Sequence, residues 1–283
     1  MIPEEVSAWL DEQGYGAIAS RQSVGGGCIN NGMRLHTTSD ERFFLKLNNA
    51  APADMFALEV EGLDTLRVPD GPRIPQTFLH GRDFLLMEDL KPATRKRDYF
   101  TTLGHKLAAM HAHTNPQFGF PHDNYIGATV QINTWAEDGY VFFAEQRLGF
   151  QAELAQQCGY LGGQDVAAVK AIGARLPELV PKQPASLLHG DLWGGNAISD
   201  EHGEPALIDP AAHYGWAEAE LAFTSMFGGF TGEFYDAYLE VRPLDAGWRE
   251  RFPLYNLYHY LNHLNLFGTS YLGQVKSIIR KYA

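Results

Sequence analysis

Ser186-Leu187-Leu188-His189-Gly190-Asp191-Leu192-Trp193-Gly194-Gly195-Asn196 decides the reading of this 283-residue chain. The apolar pair Leu187-Leu188 predicts a buried strand that runs into His-Gly-Asp, and an asparagine follows the aspartate five positions later. At this spacing a carboxylate and an amide share one loop, the first to accept the proton of an attacking hydroxyl and the second to hold a divalent cation. Eighteen residues past Asp191, Asp209 closes a second short apolar run, Ala206-Leu207-Ile208, where a strand would aim another carboxylate at that cation. Negative charge on a transferring phosphoryl group must be neutralised where it develops, which is work for two carboxylates, an amide and a metal ion. The set reads as a phosphoryl-transfer centre, and such a centre predicts further features upstream.

Composition bounds what else the chain can be. With 45% hydrophobic residues it has material for a substantial core, in one large domain or two lobes. Its formal net charge of −12 would repel a nucleic-acid backbone or an anionic membrane, so neither is an expected partner, and a neutral or cationic substrate fits better. The first residues, Met-Ile-Pro-Glu-Glu, lack the basic start and apolar core of a signal peptide, and no run is long enough to span a membrane. A cytoplasmic protein is expected. Cys28 and Cys158 stand far apart and form no metal-ligand cluster or disulfide framework.

In chain order, residues 3–13 predict a short amphipathic helix, with Val6, Trp9 and Leu10 on one face. Extended segments follow near 17–24, 31–38 and 42–48 as a β-meander. Between the first two lies Gly25-Gly26-Gly27-Cys28, either a turn whose bare N–H groups cover phosphates or a plain hairpin tip. No G-x-x-x-x-G-K-[ST] or complete G-x-G-x-x-G motif occurs, which argues against a P-loop or dinucleotide-binding fold. The third strand, Arg42 to Asn48, carries Lys46 inside an apolar run, where a lysine can grip the α- and β-phosphates. Pro52 is expected to open a helix to about Arg67, on which Phe56, Glu59, Leu63 and Leu66 form one stripe. Glu59 therefore faces inward, where an unpaired charge is costly, and is the expected partner of Lys46. Two more strands near 74–79 and 83–87 lead to Glu88, Asp89 and Leu90, whose backbone is expected to face an adenine at a hinge between lobes.

From Asp98 the pattern is helical, residues 114–134 read as loop, and helices are expected over 136–158, 165–177, 216–228, 231–241, 247–267 and 271–281. The run Arg95-Lys96-Arg97 reads as a solvated linker. Residues 1–90 would form a nucleotide-binding lobe of sheet with one main helix, and residues 91–283 a larger, mainly helical lobe carrying catalysis and substrate. The fold class is α+β.

These residues carry a resemblance. Gly26-Gly27-Cys28-Ile29-Asn30, Phe43-Phe44-Leu45-Lys46, Asp123-Asn124-Tyr125-Ile126-Gly127, Leu188 through Asn196, Asp209-Pro210-Ala211 and Phe227-Gly228-Gly229-Phe230 are similar to segments of the fructosamine kinase (ketosamine 3-kinase) family, relatives of aminoglycoside and choline kinases. The resemblance implies a two-lobed, protein-kinase-like (aminoglycoside phosphotransferase-like) fold that uses ATP and Mg2+. It implies phosphorylation at O3 of a ketosamine, the sugar adduct that glycation leaves on a protein lysine or a small amine, as a step in deglycation. By position Asp191 would be the base, Asn196 and Asp209 the magnesium ligands, Lys46 with Glu59 the phosphate clamp, and Glu88 to Leu90 the adenine hinge. Trp193 would cover the apolar face of a sugar, and His189 would pack beneath the loop. Two departures stand out: Gly139, where the family usually has Trp, and Trp216-Ala217, which replace more polar residues. Either could reshape the acceptor pocket or the helix packing.

A small-molecule kinase of the aminoglycoside, choline or homoserine type, or a non-catalytic nucleotide-binding module, would use the same framework. Cys28 is either a filler in a turn or an accessible thiol whose oxidation, or bridge to a second chain, would distort the nucleotide cover. A monomer or a weak homodimer is expected.

Overall fold

A computed structural model describes residues 2–25 and 31–283. The chain opens with α1 (Glu4–Glu12), whose Val6 and Leu10, one turn apart, are buried. Five antiparallel strands follow: β1 (Ile18–Val24), β2 (Asn31–Thr37), β3 (Arg42–Leu47), then, after α2 (Met55–Thr65), β4 (Thr77–His80) and β5 (Phe84–Glu88), in the spatial order β1-β2-β3-β5-β4. Side chains alternate across a strand, so β3 divides its residues between two faces. Phe43 and Leu45 pack with Leu35, Phe84 and Leu86 under α1, in a core closed by the rings of Trp9, Tyr15 and Phe78. Phe44 and Lys46 take the other face, opposite Met87 and Leu85. There α2 covers the sheet with Phe56, Leu63 and Leu66, all at 0% exposure, and this core continues into the helical part of the molecule.

The rest is mainly helical: α3 (Tyr99–Ala112), α4 (Gly139–Phe142), α5 (Phe150–Gln157), α6 (Gly163–Ala174), α7 (Leu176–Leu179), α8 (Ala217–Met226), α9 (Gly232–Val241), α10 (Trp248–Phe267) and α11 (Leu272–Tyr282). Short strands are set among them: β6 (Thr114–Asn115), β7 (Asn124–Ile126), β8 (Thr129–Gln131), β9 (Ala185–Leu188), β10 (Ala197–Ser199), β11 (Pro205–Leu207) and β12 (His213–Gly215). β9 lies between β12 and β6, β10 pairs with β11, and β7 with β8. The expected small sheet lobe followed by a helical lobe is the architecture found.

Four expectations need correction. Residues 114–134 are not merely loop, because β6 pairs with β9 and β7–β8 form a hairpin. The helix expected from Pro52 begins at Met55, after a turn in which the Met55 N–H donates to the Pro52 carbonyl (3.2 Å). The helix expected over 136–158 starts at Gly139, where Asp138 accepts from the Tyr140 and Val141 N–H groups at 2.7 and 3.3 Å, and it widens to π geometry over Phe143–Gly149. The expected helix over 165–177 is two, Gly163–Ala174 and Leu176–Leu179, with Pro177 in the first turn of the second. No helix among the described residues is long and apolar enough to cross a membrane.

Candidate active site

All four residues of β9 are buried, so the strand is anchored as the middle of its small sheet and delivers His189-Gly190-Asp191 at its end. Gly190 takes φ +83°, and a Cβ there would lie 2.0 Å from the Ala211 carbonyl oxygen; only glycine permits this close turn. His189 is fully buried beneath the loop and meets the Ile208 carbonyl through Nε2 at 2.9 Å. The chain then turns through Trp193 to Asn196, whose Nδ2 donates to the Asp191 carbonyl (2.8 Å) and the Asp191 carboxylate (3.1 Å). Pairing of β10 with β11 brings Asp209 back beside them, and the Asn196 amide also reaches the Asp209 carbonyl at 3.4 Å. Asp209 itself has φ +58°, a conformation disfavoured for any residue with a Cβ. Beyond it, Asn124 and Gln131 donate to the Ala212 and Ala211 carbonyls at 2.8 and 2.9 Å, and Tyr258 donates to Gln131 (2.8 Å), so the hairpin β7–β8 braces this turn.

Across the cleft, Lys46 of β3 donates to both Glu59 of α2 and Asp209. Residues 46, 59, 191, 196 and 209, remote in sequence, therefore line one cavity of about 780 Å³. Gly25, Glu88, Asp89, Leu90 and Trp193 line it too. Gly26, Gly27 and Cys28 lie outside the described residues. The side chains of Glu88 and Asp89 are engaged elsewhere: Glu88 with Arg73 at 2.5 Å and the Gln76 N–H at 3.2 Å, Asp89 with Arg34 at 3.3 Å. Arg73 also reaches Asp200 and Glu201, both at 2.8 Å, tying the end of β5 to the β10–β11 hairpin.

The electrostatics follow from burial. Burial alone would lower the Lys46 ammonium, but the Asp209 and Glu59 carboxylates outweigh it and the net shift is upward, so the lysine stays charged. Burial pushes Glu59 up despite its partner. Burial, then the charge of Asp209, pushes Asp191 up to about 8. Among the described residues no cluster of three or more His, Cys, Asp or Glu side chains could hold a metal by itself. Asn196 and Asp209 instead offer one amide and one carboxylate oxygen donor, the kind of partial set with which Mg2+ is held when phosphate oxygens complete its shell.

Reading the sequence missed Glu220. It is buried at 3% exposure on α8 and accepts from the His189 N–H (3.1 Å), the Gly190 N–H (2.6 Å) and His111 Nε2 (2.9 Å), while His111 Nδ1 meets the Tyr238 hydroxyl at 2.9 Å. An acid in a first helical turn reads from sequence as a dipole partner, so nothing marked it. The two departures prove to be one feature. A Cβ on Gly139 would lie 2.5 Å from Phe118 Cζ and 2.7 Å from Trp216 Nε1, so the Phe118 and Trp216 rings together fill the space a side chain at 139 would need. Trp216 is packed among Phe143, Tyr140 and Tyr255 and does not line the large cavity; it contributes to helix packing. Arg95 to Arg97 are exposed as expected, although Arg95 donates to the Ala197 carbonyl at 2.7 Å.

The model of the family described as Fructosamine kinase matches residues 2–283. A probable ketoamine kinase of Synechocystis sp. is 40% identical over 93% of this chain and 90% of its own length. A chloroplastic protein-ribulosamine 3-kinase of Oryza sativa subsp. japonica is 40% identical over 99% of this chain and 83% of its own. The crystal structure of a candidate fructosamine-3-kinase from Thermobifida fusca superposes with a TM-score of 0.88 at 33% identity, covering 99% of this chain and 98% of the other. At 14 and 15% identity the same architecture recurs in solved choline and aminoglycoside kinases, a likeness of fold alone. With the model matched from end to end and relatives at 40% identity, the chain belongs to the fructosamine kinase family.

Proposed function

We propose that this protein transfers the γ-phosphoryl group of ATP to the 3-hydroxyl of a ketosamine, on a protein or a small amine, as a step in deglycation. The observation that carries the reading is the convergence of Lys46, Asp191, Asn196 and Asp209 on one cavity, in a chain of a kinase family. Residues 1–90 hold the nucleotide. Lys46, fixed by Glu59, grips its α- and β-phosphates, and the main chain of Glu88 to Leu90 meets the adenine. Gly25, which lines the cavity, borders the phosphates. Residues 91–283 carry the acceptor, whose sugar lies against Trp193 with the reacting hydroxyl at Asp191. Asp191 takes the hydroxyl proton as the oxygen bonds to the γ-phosphorus and the bond from that phosphorus to the β–γ bridging oxygen breaks, releasing ADP, and a base with an affinity near neutral pH suits that transfer. Mg2+ held by Asn196 and Asp209 would neutralise charge on the triphosphate and favour the ionised form of Asp191. On this reading the protein is a cytoplasmic monomer or weak homodimer, and the net charge of −12 suits a neutral or cationic acceptor.

Replacing Asp191 with Asn tests the assignment. It should lower kcat by roughly 10²- to 10⁴-fold, the usual worth of a positioned base, with ATP binding by calorimetry retained. Turnover within a few-fold of the wild type would remove Asp191 from the role.

A further inference from the structure

Beyond Trp193 the cavity continues along a wall of rings for which phosphoryl transfer has no use. Trp193 meets Phe227 edge-on at 6.2 Å, Phe227 lies 5.1 Å from His263, and His263 lies 5.4 Å from Phe267 and 5.1 Å from Tyr271. All five line the cavity, and Phe227 and Phe267 are 44% and 49% exposed at its mouth. His263 Nδ1 is committed to the His259 carbonyl at 2.8 Å, which puts the proton on Nδ1 and leaves Nε2 an acceptor. Burial lowers the proton affinity of that ring, so it is neutral at physiological pH. Among the described residues, the two cations that line the cavity are engaged, Arg34 with Asp89, and Lys46 between Glu59 and Asp209. The rings also gather at the C-terminal end of α10, the negative end of a 20-residue helix dipole.

We propose that this wall is the amine subsite, and that it selects ketosamines whose nitrogen bears an apolar alkyl chain, as a lysine side chain does, over those whose nitrogen bears a carboxylate-carrying carbon, as an α-amino acid does. The inference rests on the ketosamine reading above. A ketosamine nitrogen is a secondary amine, protonated at neutral pH, and an ammonium is attracted to ring faces. The methylenes beyond it cover apolar ring surface, and its N–H can donate to His263 Nε2. A carboxylate one carbon from the nitrogen would meet no free cation there and would share the cavity with Asp191 and Asp209.

The test compares ribulosamines of n-butylamine, glycine and glycinamide, with ATP and Mg2+, in the wild type and in Phe267→Ala and Tyr271→Ala. The wild type should favour the butylamine adduct over the glycine adduct by about tenfold or more in kcat/KM, with the glycinamide adduct, which keeps the amine but lacks the carboxylate, recovering most of the difference. Either substitution should lower kcat/KM for the butylamine adduct about tenfold, mainly through KM, so that the preference collapses. Both positions are at least partly exposed, and unchanged circular dichroism and melting would show the fold intact. Equal kcat/KM for the butylamine and glycine adducts, or a preference that survives both substitutions, overturns the subsite. Calorimetry of the butylamine adduct separates this from the functional reading. Binding that Phe267→Ala weakens, without phosphoryl transfer by the wild type, supports the subsite and sinks the kinase reading; transfer without discrimination does the reverse.

Discussion

Glu220 shows how much of the catalytic loop is held from below by one carboxylate. Two consecutive main-chain N–H groups and an imidazole converge on it, and burial, which would raise its proton affinity, is outweighed by the hydrogen bonds from His111 and the Gly190 N–H, so it stays ionised. Glu220→Gln keeps the shape but turns one acceptor into a donor facing N–H groups, leaving at least one of them unpaired. We expect a loss of roughly 2–4 kcal/mol in stability by urea denaturation, and a kcat reduced about 10- to 100-fold because Asp191 is no longer held in place. Unchanged stability and kcat would show that the loop is positioned by its neighbours alone. Gly190 makes a second case. Gly190→Ala brings a Cβ against the Ala211 oxygen at positive φ, for an expected loss of about 2–4 kcal/mol by the same denaturation. At this scale the sequence is most legible where a residue breaks a local pattern. Lys46 interrupts an apolar strand and Glu59 an apolar helical stripe, and the two meet. Glu220 breaks no pattern, since an acid in a first turn is unremarkable, and only the tertiary fold brings it under the loop.

Between elements, the Lys46–Glu59 pair couples β3 to α2, and Asp209 draws the β11 end into the same contact. Removing one member leaves a buried charge alone. Lys46→Met should destabilise by about 3–5 kcal/mol, and adding Glu59→Gln should return more than half of it; the four-member urea series measures the coupling. Additive losses would mean that the pair carries no structural coupling. Long periodic helices and the β-meander could be read from the chain, because hydrophobic spacing of 3.6 or 2 repeats often enough to be seen. The strands β6 to β8 span two or three residues each, too few for any period, and are strands only because β6 finds β9 and β7 finds β8, in a hairpin whose Asn124 and Gln131 side chains are tied to the Ala211-Ala212 carbonyls. The π stretch over Phe143–Gly149 leaves no compositional mark either. It lets Arg147, fully buried, reach the Ile132 carbonyl and Asn133 Oδ1 (2.8 Å), contacts no helical period announces.

The whole molecule buries several imidazoles, and that sets its response to acid. His111, His213 and His259 are each at 6% exposure or less, and burial holds each below its usual proton affinity. Around His111 stand Glu220, Tyr238 and Arg242; His213 and His259 have Arg147 nearby, and His259 also has His263. Below a pH of about 6.5 the unfolded chain binds protons at these positions that the folded chain refuses, so stability falls as pH falls. Each histidine contributes a slope of up to about 1.4 kcal/mol per pH unit below that point, and the depressed carboxyl of Glu220 adds its own loss only below about pH 4. Asp191 and Glu59, whose carboxyls are pushed up, bind protons more readily in the folded chain and oppose this loss, so the net drop in melting temperature should appear between pH 6.5 and 5, where the three rings together outweigh them; a flat profile over that range would mean that these rings protonate in place. The two-lobed architecture was legible because sheet pattern precedes helical pattern along the chain. The aromatic wall was not, since Trp193, Phe227, His263, Phe267 and Tyr271 come from four separate segments. The most direct test of the central claim, that one cleft joins Lys46 and Glu59 to Asp191, Asn196 and Asp209 for phosphoryl transfer to a ketosamine, is NMR of the product formed from ATP, Mg2+ and the ribulosamine of n-butylamine. The account predicts a single phosphate ester on the 3-oxygen of the sugar, formed by the wild type and nearly lost in Asp191→Asn; an unmodified ketosamine, or phosphate on another hydroxyl, would contradict it.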